Sequence, residues 1–389
     1  MSDAWRKMTA SDLGRAIGAK ESDPRALTDV FLAAAEAHPS RDDIYTALTP
    51  ERARAEADAA SERAEHGTRR GLLDGVPMSW KDLYDTVGDV TGAGSAMTAE
   101  DAPAERDAEA LARATRAGMV CLGKTHMTEL AFSGLGVNPV TRTSPNINGS
   151  DAEGMDWAPG GSSSGAGASV AFDLAPAGIG SDTGGSVRIP SVWQNLVGLK
   201  TTIGLIPVTG SSALAAGFDT VGPLCRSVED AAEITAVMAG TAAPDLGGAS
   251  LAGRRVLVDE AVMLDGAEAA PAAAFEDALA RLAEAGVEVV RETIPEFAEA
   301  LKIAAPLIIA EAWAEWGESI EAKGDRMFHQ IRKRTEPGRD VSAAQYLRVW
   351  KRLEAIRASY HARVASYDAV AAPTTAILPP SVSRLLSDD

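Results

Sequence analysis

Apolar residues along the chain alternate between helical spacing and short unbroken runs. The segment 107–118 has helical spacing and ends at Gly118, and the apolar run 119–124 directly after it predicts a buried strand. The same order recurs where a helix predicted over 270–285 leads into the apolar run 287–290. A helix followed at once by an apolar strand is typical of α/β proteins, so the pattern predicts an α/β fold.

The rest of the chain adds mainly helices. Asp23 and Pro24 are residue types preferred at the N-cap and the first position of a helix, which predicts a helix after them. Further predictions are helices over 51–65 and 229–239, a long helix capped by Ser342, and strands over 254–258 and 368–375. No clear linker is visible. We interpret residues 1–389 as one domain with a helical arm (1–66), a core (67–240) and a helical, sheet-completing part (241–389).

Composition narrows the class of protein and of partner. With 389 residues and 46% hydrophobic content, the chain can bury a large core. Its formal net charge of −18 disfavours binding to phosphate backbones, and no apolar run reaches the roughly 18–20 residues of a membrane span. The N-terminus lacks a signal-peptide pattern, and two cysteines, Cys121 and Cys225, make no disulfide framework. We expect a cytoplasmic protein that binds neither nucleic acid nor membranes.

Two glycine-serine segments stand out. The segment 158–170 (APGGSSSGAGASV) has the composition of a linker, but also that of a loop that brings backbone amides close to a reacting group. A second such segment, 180–190, follows a predicted small-residue helix and strand over 166–179, so the two loops can converge. Successive free amides in such a loop form a nest for negative charge. Ser186 ends the second nest and is well placed for acyl transfer.

A nucleophilic serine needs a base, and the residues alone leave two candidates. His126 is the one histidine of five that falls in a plausible loop position, directly after a predicted strand. Lys81 follows a short apolar run, and a lysine that is buried can become neutral and act as a base. The alternative for Lys81 and Asp82 is an ordinary surface ion pair.

Three other motif interpretations compete. Residues 161–165 fit G-x-S-x-G, which would make Ser163 a nucleophile, but the histidines that this interpretation needs downstream lie in predicted helices. A phosphate loop would end in Gly-Lys-Ser/Thr, and none does so. The segment 125–129 offers one histidine and one glutamate without a second cluster, so no metal site is predicted.

Taken together, these segments resemble the amidase signature family. The resemblance covers residues 20–240 closely and continues more weakly to 378. It implies an α/β fold with a central mixed, twisted β-sheet flanked by helices. The matching segments are, in order, GVPMSWKDLYDT (75–86), GKTHMTELAFSGLGVNP (123–139), PGGSSSGAGASVA (159–171), GSDTGGSVRIP (180–190), GLKTTIGLIP (198–207) and FDTVGPLCRSVEDAA (218–232).

The resemblance implies roles for individual residues. Ser186 matches the family's nucleophile, Ser162 its bridging serine, which a cis peptide bond precedes, and Lys81 its base. Ala131 lies where the family often lines its substrate pocket. No metal ion or organic cofactor is implied. The backbone amides that match the oxyanion hole are those of Thr183, Gly184, Gly185 and Ser186.

The implied activity is hydrolysis of a non-peptide amide C–N bond through a Ser186 acyl-enzyme, with release of ammonia or an amine. The partner is then a small-molecule amide, and the assembly to consider is a homodimer. Two alternatives stay open: the glutaminase subunit of a tRNA-dependent amidotransferase, and a non-catalytic scaffold with an amidase-like fold. Intact triad positions argue against the scaffold.

Two departures from the family pattern are visible. The segment 144–161 is longer and more acidic than usual, and either shapes the substrate entrance or is a surface insertion. The chain also ends at Asp389, whereas family members typically continue for several dozen residues, so it is expected to be either a short member or a truncated one.

Overall fold

The computed structural model describes residues 2–149, 156–262 and 264–387. The chain divides into two compact units, each with its own β-sheet. The first unit comprises Met1–Asp245, Glu318–Arg332 and Pro379–Asp389, and the second comprises Leu246–Gly317 and Lys333–Leu378. No helix among the described residues is long and apolar enough to cross a membrane.

The first unit is built on a mixed sheet with the strand order β1-β3-β2-β4-β6-β5. The central strands β3, β2 and β4 run parallel, while β1, β6 and β5 pair antiparallel with their neighbours. The predicted α/β class with a central mixed sheet flanked by helices is therefore confirmed. Its strands are β1 Tyr45–Leu48, β2 Pro77–Lys81, β3 Val120–Thr125, β4 Ala177–Asp182, β5 Val197–Gly198 and β6 Thr220–Cys225.

Every residue of β2, β3, β4 and β6 is buried. Strands covered on both faces read as continuous apolar or small-residue runs rather than alternating patterns, which is why the sequence marked them as buried. Small residues in β4 also allow close packing. A Cβ on Gly178 would lie 2.8 Å from the Ala166 carbonyl oxygen in the following layer, so a larger residue would push the layer away.

Helices cover this sheet, and several begin where the sequence predicts. Asp23 caps its helix by accepting hydrogen bonds from the amides of Arg25 (2.9 Å) and Ala26 (3.2 Å). Gly118, with a φ of +93°, ends the turn after another helix, as predicted. The helices of this unit are α1 Ser2–Arg6, α2 Ala10–Gly18, α3 Pro24–Ala37, α4 Arg41–Ile44, α5 Pro50–Glu65, α6 Glu109–Arg116, α7 Ser164–Ala171, α8 Arg188–Trp193 and α9 Val228–Ala239.

The second unit has a separate parallel sheet with the strand order β8-β7-β9. The strands are β7 Arg255–Asp259, β8 Glu288–Glu292 and β9 Ala369–Ala371. The expectation that residues 241–389 complete the main sheet is wrong, because these strands pair with one another. The interpretation of residues 1–389 as one domain stays a prediction. The remaining helices of the chain are α10 Ala269–Glu284, α11 Pro295–Lys323, α12 His329–Thr335, α13 Ala343–Val364 and α14 Val382–Ser387.

The strand pairing of β2 with β4 places chemistry at one edge of the first sheet. Trp80 is opposite Ile179, so the carboxyl ends of the two parallel strands lie side by side. Lys81 is the last residue of β2, and Ser181 and Asp182 end β4. Polar side chains from two strands therefore meet at this edge, beside the loops that lead into α7 and α8.

Candidate active site

Lys81 lies fully buried at the end of β2. Its Nζ atom is 2.7 Å from Ser162 Oγ and 2.8 Å from Ser181 Oγ. Burial lowers the pKa of the Lys81 ammonium to about 7, although the negative charges of Asp219 and Asp182 oppose the shift. A substantial fraction of this lysine is therefore neutral near neutral pH, and its nitrogen can accept a proton.

The peptide bond between Gly161 and Ser162 is cis. The segment that follows β3 holds it on both sides: Thr128 N–H donates to the Ser162 carbonyl oxygen (3.0 Å), and Gly161 N–H donates to the Gly134 carbonyl oxygen (2.8 Å). A Cβ on Gly161 would lie 2.6 Å from Thr128 Oγ1, so only glycine fits there. The fully buried Ser162 hydroxyl is thereby presented to Lys81.

Asp182 fixes the loop that follows β4. Its carboxylate accepts hydrogen bonds from the amides of Gly185 (2.8 Å) and Val187 (3.1 Å). Arg188 adds a bidentate contact through Nε and Nη2, both at 2.9 Å. Burial works to raise the pKa of this carboxyl, but the bonds and the charge of Arg188, together with the two amides, hold it below its usual value. The charged carboxylate therefore pins the loop that carries Ser186.

Ser186 is almost completely buried, and its carbonyl oxygen accepts a hydrogen bond from Ser163 N–H at 3.3 Å. This contact joins the backbone of the second glycine-serine loop to the three-serine segment of the first. The convergence of the two loops was predicted from the sequence, and the contact confirms it. Lys81, Ser162 and Ser186 thus belong to one continuous cluster at the edge of the sheet.

The amides of the 183–186 loop differ in their availability. Gly185 N–H points at Asp182, so it is not free to bind an oxyanion, contrary to the role implied for it by the family resemblance. Gly185 has a φ of +130°, which favours glycine. The Thr183 hydroxyl donates to Asp219, which anchors the start of the loop. The amides of Thr183, Gly184 and Ser186 remain the candidates for oxyanion donors.

Ser163 is engaged with the neighbouring strand. Its Oγ atom lies 3.3 Å from both the carbonyl oxygen and the amide nitrogen of Ser181, donating to the first and accepting from the second. The side chain is fully buried. Ser164 Oγ lies 3.4 Å from the His126 carbonyl oxygen. These contacts make both serines structural supports of the loop and give no support to Ser163 as a nucleophile.

His126 is a buried structural residue. Its Nε2 atom lies 3.0 Å from the Asp42 carbonyl oxygen, so the proton is carried on Nε2 and donated to that oxygen. Its backbone accepts a hydrogen bond from Gly165 N–H (2.9 Å), at the start of α7. Burial lowers the pKa of the His126 imidazole to about 4, more than the nearby carbonyl and carboxylates raise it. The ring is therefore neutral at physiological pH, and its observed partner is a carbonyl oxygen rather than a serine hydroxyl.

Replacing His126 by alanine is expected to lower stability and to leave turnover largely intact. The loss removes a buried hydrogen bond and leaves a cavity, which costs about 1–3 kcal/mol of unfolding free energy. Chemical denaturation and the rate of amide hydrolysis, measured on the same preparation, test this. If the rate of the folded His126→Ala protein falls as far as that of Ser186→Ala, His126 is the base and the lysine assignment is wrong.

Two other predicted features have different outcomes. Ala131 lies buried in the short turn Glu129–Ala131, with a φ of +58°, two residues beyond Glu129 on the segment that holds the cis peptide. Its role in lining a substrate pocket stays a prediction. Of the segment 144–161, residues 150–155 lie outside the described residues, and its role also stays a prediction. Within the described ranges no cluster of histidine, cysteine or carboxylate side chains can hold a metal ion.

Three residues of the site were missed by sequence reasoning. Ser181 contacts Lys81, Asp182 binds the loop amides, and Asp219 receives the Thr183 hydroxyl. Ser181 and Asp182 carry a signal that could have been used, because polar residues that end a buried parallel strand commonly face a functional edge. Asp219 gives no such signal, since its partner lies 36 positions away along the chain.

Comparison with known proteins decides the family. A model of the Amidase family matches residues 26–388. The chain belongs to this family. It is therefore a hydrolase that acts on amide C–N bonds.

Individual relatives differ in their activities. The chain is 35% identical over 346 residues to a 2-amino-5-chloromuconic acid deaminase of Comamonas testosteroni, a match that covers 86% of this chain and 72% of that enzyme. It is 36% identical over 317 residues to a glutamyl-tRNA(Gln) amidotransferase component, the A-type polypeptide of Halorhodospira halophila, covering 78% of this chain and 64% of that polypeptide. A crystal structure of an amidase superposes with a TM-score of 0.86 at 28% identity, over 96% of this chain and 83% of that one.

Proposed function

We propose that this amidase cleaves a non-peptide amide C–N bond through an acyl-enzyme on Ser186, with Ser162 as proton relay and Lys81 as base. The observation that carries the proposal is the fully buried Lys81 Nζ, 2.7 Å from the Ser162 hydroxyl. A lysine with a pKa near 7 matches the pH at which a general base works best.

The proton path follows from these contacts. Neutral Lys81 takes the proton of Ser162 as Ser162 takes that of Ser186, whose oxygen attacks the amide carbonyl and forms a tetrahedral oxyanion. The relay then reverses and delivers the proton to the departing nitrogen as the C–N bond breaks. Water enters, gives its proton to the same relay and attacks the ester. The acid leaves, and Ser186 recovers its proton.

Oxyanion binding falls to the 183–186 loop. The amides of Thr183, Gly184 and Ser186 are the donors that remain once Gly185 is committed to Asp182. Fixed donors of this kind are worth about 10²–10³-fold in rate each, because they need no reorganisation as charge develops. Asp182 and Asp219 then act as positioning residues that hold the two ends of the loop.

The substrate is a small-molecule amide, and the relatives suggest two versions of it. The deaminase relative favours a stand-alone enzyme that releases ammonia from a small organic acid. The amidotransferase relative favours a second candidate, a glutaminase subunit that delivers ammonia to a partner. A cytoplasmic location and a homodimer remain predictions in either case.

Active-site labelling and ammonia release together test the proposal. The purified chain, treated with a fluorophosphonate, should acquire one adduct on Ser186, located by mass spectrometry of its peptides. It should also release ammonia from at least one member of a panel of amides, ureas and carbamates without any partner protein. Activity on glutamine alone, and only after a partner is added, would favour the glutaminase subunit. Absence of both labelling and turnover in the folded chain would indicate the non-catalytic scaffold.

A further inference from the structure

Glu129 is a fully buried carboxyl that the proposed reaction does not use. One of its oxygens, Oε1, accepts a hydrogen bond from Ser95 Oγ at 2.7 Å. The other, Oε2, accepts from Phe328 N–H at 2.8 Å. Both donors are neutral groups. A buried acid that binds two distant segments through neutral donors needs a reason, because burying a carboxylate without a cation is costly.

The backbone after Glu129 adopts a strained conformation. Leu130 has a φ of +49° and Ala131 a φ of +58°, values that residues with a side chain seldom adopt. Leu130 N–H donates to the carbonyl oxygen of Ala93, which itself has a φ of +48°. Such a cluster of strained residues persists only where its surroundings hold it, and clusters of this kind are common at functional sites.

This strained turn is part of the segment that carries the cis peptide. Directly before it, Thr128 N–H binds the Ser162 carbonyl oxygen at 3.0 Å. Shortly after it, the Gly134 carbonyl oxygen accepts Gly161 N–H at 2.8 Å. A change in the conformation of the turn would therefore move both contacts that hold Gly161 and Ser162, and with them the relay hydroxyl.

We propose that Glu129 is a positioning residue, which clamps the strained 129–131 turn to Ser95 and Phe328 and so keeps Ser162 aligned with Lys81. This inference rests on the proposed function, since it assumes that Ser162 relays protons. The clamp also links the site to the chain segment that returns to the first unit at Glu318–Arg332, because Phe328 is the donor on that segment.

The chemistry of the clamp permits a neutral carboxyl. Burial raises the pKa of Glu129 to about 7, and the bonds from Ser95 and Phe328 oppose the shift only in part. When protonated on Oε1, the acid donates to Ser95 Oγ while Oε2 still accepts from Phe328. Glutamine can make the same two contacts, with its amide nitrogen facing Ser95 and its oxygen facing Phe328. Glu129→Gln is therefore a mimic of the protonated clamp at every pH.

Charged groups on the surrounding segments are engaged elsewhere. The contacts are Lys124 with Asp82 at 2.7 Å, Arg326 with Glu100 at 3.0 Å, and Lys323 with the Met97 carbonyl oxygen at 3.0 Å, alongside Asp101 at 3.8 Å; His329 packs edge-on against the Phe328 ring. Titration of Glu129 is thus governed by its own burial and its two donors.

Steady-state kinetics of three variants test the clamp. Glu129→Ala should lower kcat at least tenfold with KM changed less than threefold, and should slow fluorophosphonate labelling of Ser186 in parallel, because the relay is misaligned. Glu129→Gln should keep kcat within about threefold of the wild type. The matched control is Asp230→Ala, which removes another fully buried carboxyl that accepts two backbone amides, those of Ala10 and Ser11. It should lose stability while keeping kcat.

Thermal unfolding across pH adds a second readout. The folded state holds the Glu129 proton more tightly than the unfolded chain, so this group's stabilisation is present below pH 4.5 and is lost as pH rises through about 7. The Tm difference between Glu129→Gln and wild type should therefore grow in favour of glutamine from pH 4.5 to 7 and then level off. A constant difference over this range contradicts the assigned protonation of the clamp.

The outcomes separate this inference from the proposed function. A folded Glu129→Ala protein with wild-type kcat, or a Glu129→Gln protein as slow as Glu129→Ala, overturns the clamp. If Glu129→Ala does not fold, Ser95→Ala takes its place and should lower kcat at least threefold, an unchanged kcat overturning the clamp. Should Ser186→Ala and Lys81→Ala retain activity, the proposed function fails instead, whatever the Glu129 variants show.

Discussion

Replacing Ser186 by alanine is expected to lower amide hydrolysis by about 10⁴-fold or more and to abolish covalent labelling, because no other group can form the acyl-enzyme. The substitution removes one oxygen atom from a side chain that is 7% exposed, so the fold should be retained. Turnover of the best amide found in the substrate panel, together with intact-mass spectrometry after fluorophosphonate treatment, measures both effects.

Matched serine variants sharpen this test. Ser162→Ala should cost nearly as much as Ser186→Ala, and the double variant little more, because residues that act as a unit show non-additive losses. Ser163→Ala is the control, since its hydroxyl contacts only the backbone of Ser181 and supports the loop. It should lose less than about tenfold in rate. An adduct found on Ser163 would refute the assignment of the nucleophile.

The second large effect concerns Lys81 and pH. Because burial lowers the pKa of Lys81 to about 7, the neutral fraction rises as pH rises through 7 and then levels off. The value of kcat/KM should therefore increase by about tenfold from pH 6 to pH 8 and reach a plateau. Lys81→Ala should lower the rate by about 10²–10⁴-fold, the usual range for a general base, and should flatten this limb of the profile.

A control lysine and a defined contrary result complete the pH test. Lys200 is exposed, and its Nζ donates to the Thr201 carbonyl oxygen at 2.7 Å, away from the Lys81–Ser162 contact. Lys200→Ala should leave the shape of the profile unchanged. If the Lys81→Ala enzyme keeps the rising limb, the titrating base is another group, and the relay from Ser162 to Lys81 must be abandoned.

Local patterns in the sequence predicted much of the fold. The helix after Asp23, the helix over 51–65 and the buried strand after Gly118 all form, because capping groups, helical spacing and apolar runs act over a few residues. The two glycine-serine loops and their convergence were predicted in the same way, from the length of the helix and strand between them. The amidase family could be recognised from these motifs before any coordinates.

Long-range partners were not predictable in this way. The three strands of the second unit were expected to complete the main sheet, yet they pair with one another. An apolar run indicates that a strand will be buried, but it carries no information about which strand will lie beside it, because backbone pairing is similar for all sequences. Strand partners therefore depend on how the whole chain packs.

The sequence by itself determined which residue types are available for chemistry: a lysine before an acidic residue, serines among glycines, and one histidine after a strand. Only the tertiary structure decided between them. It buries Lys81 against a serine 81 positions away, turns His126 toward a carbonyl oxygen, and commits Gly185 N–H to Asp182. Burial and neighbouring charges set a pKa, and the direction of a donor sets its use, and both arise from groups that meet only when the chain has folded.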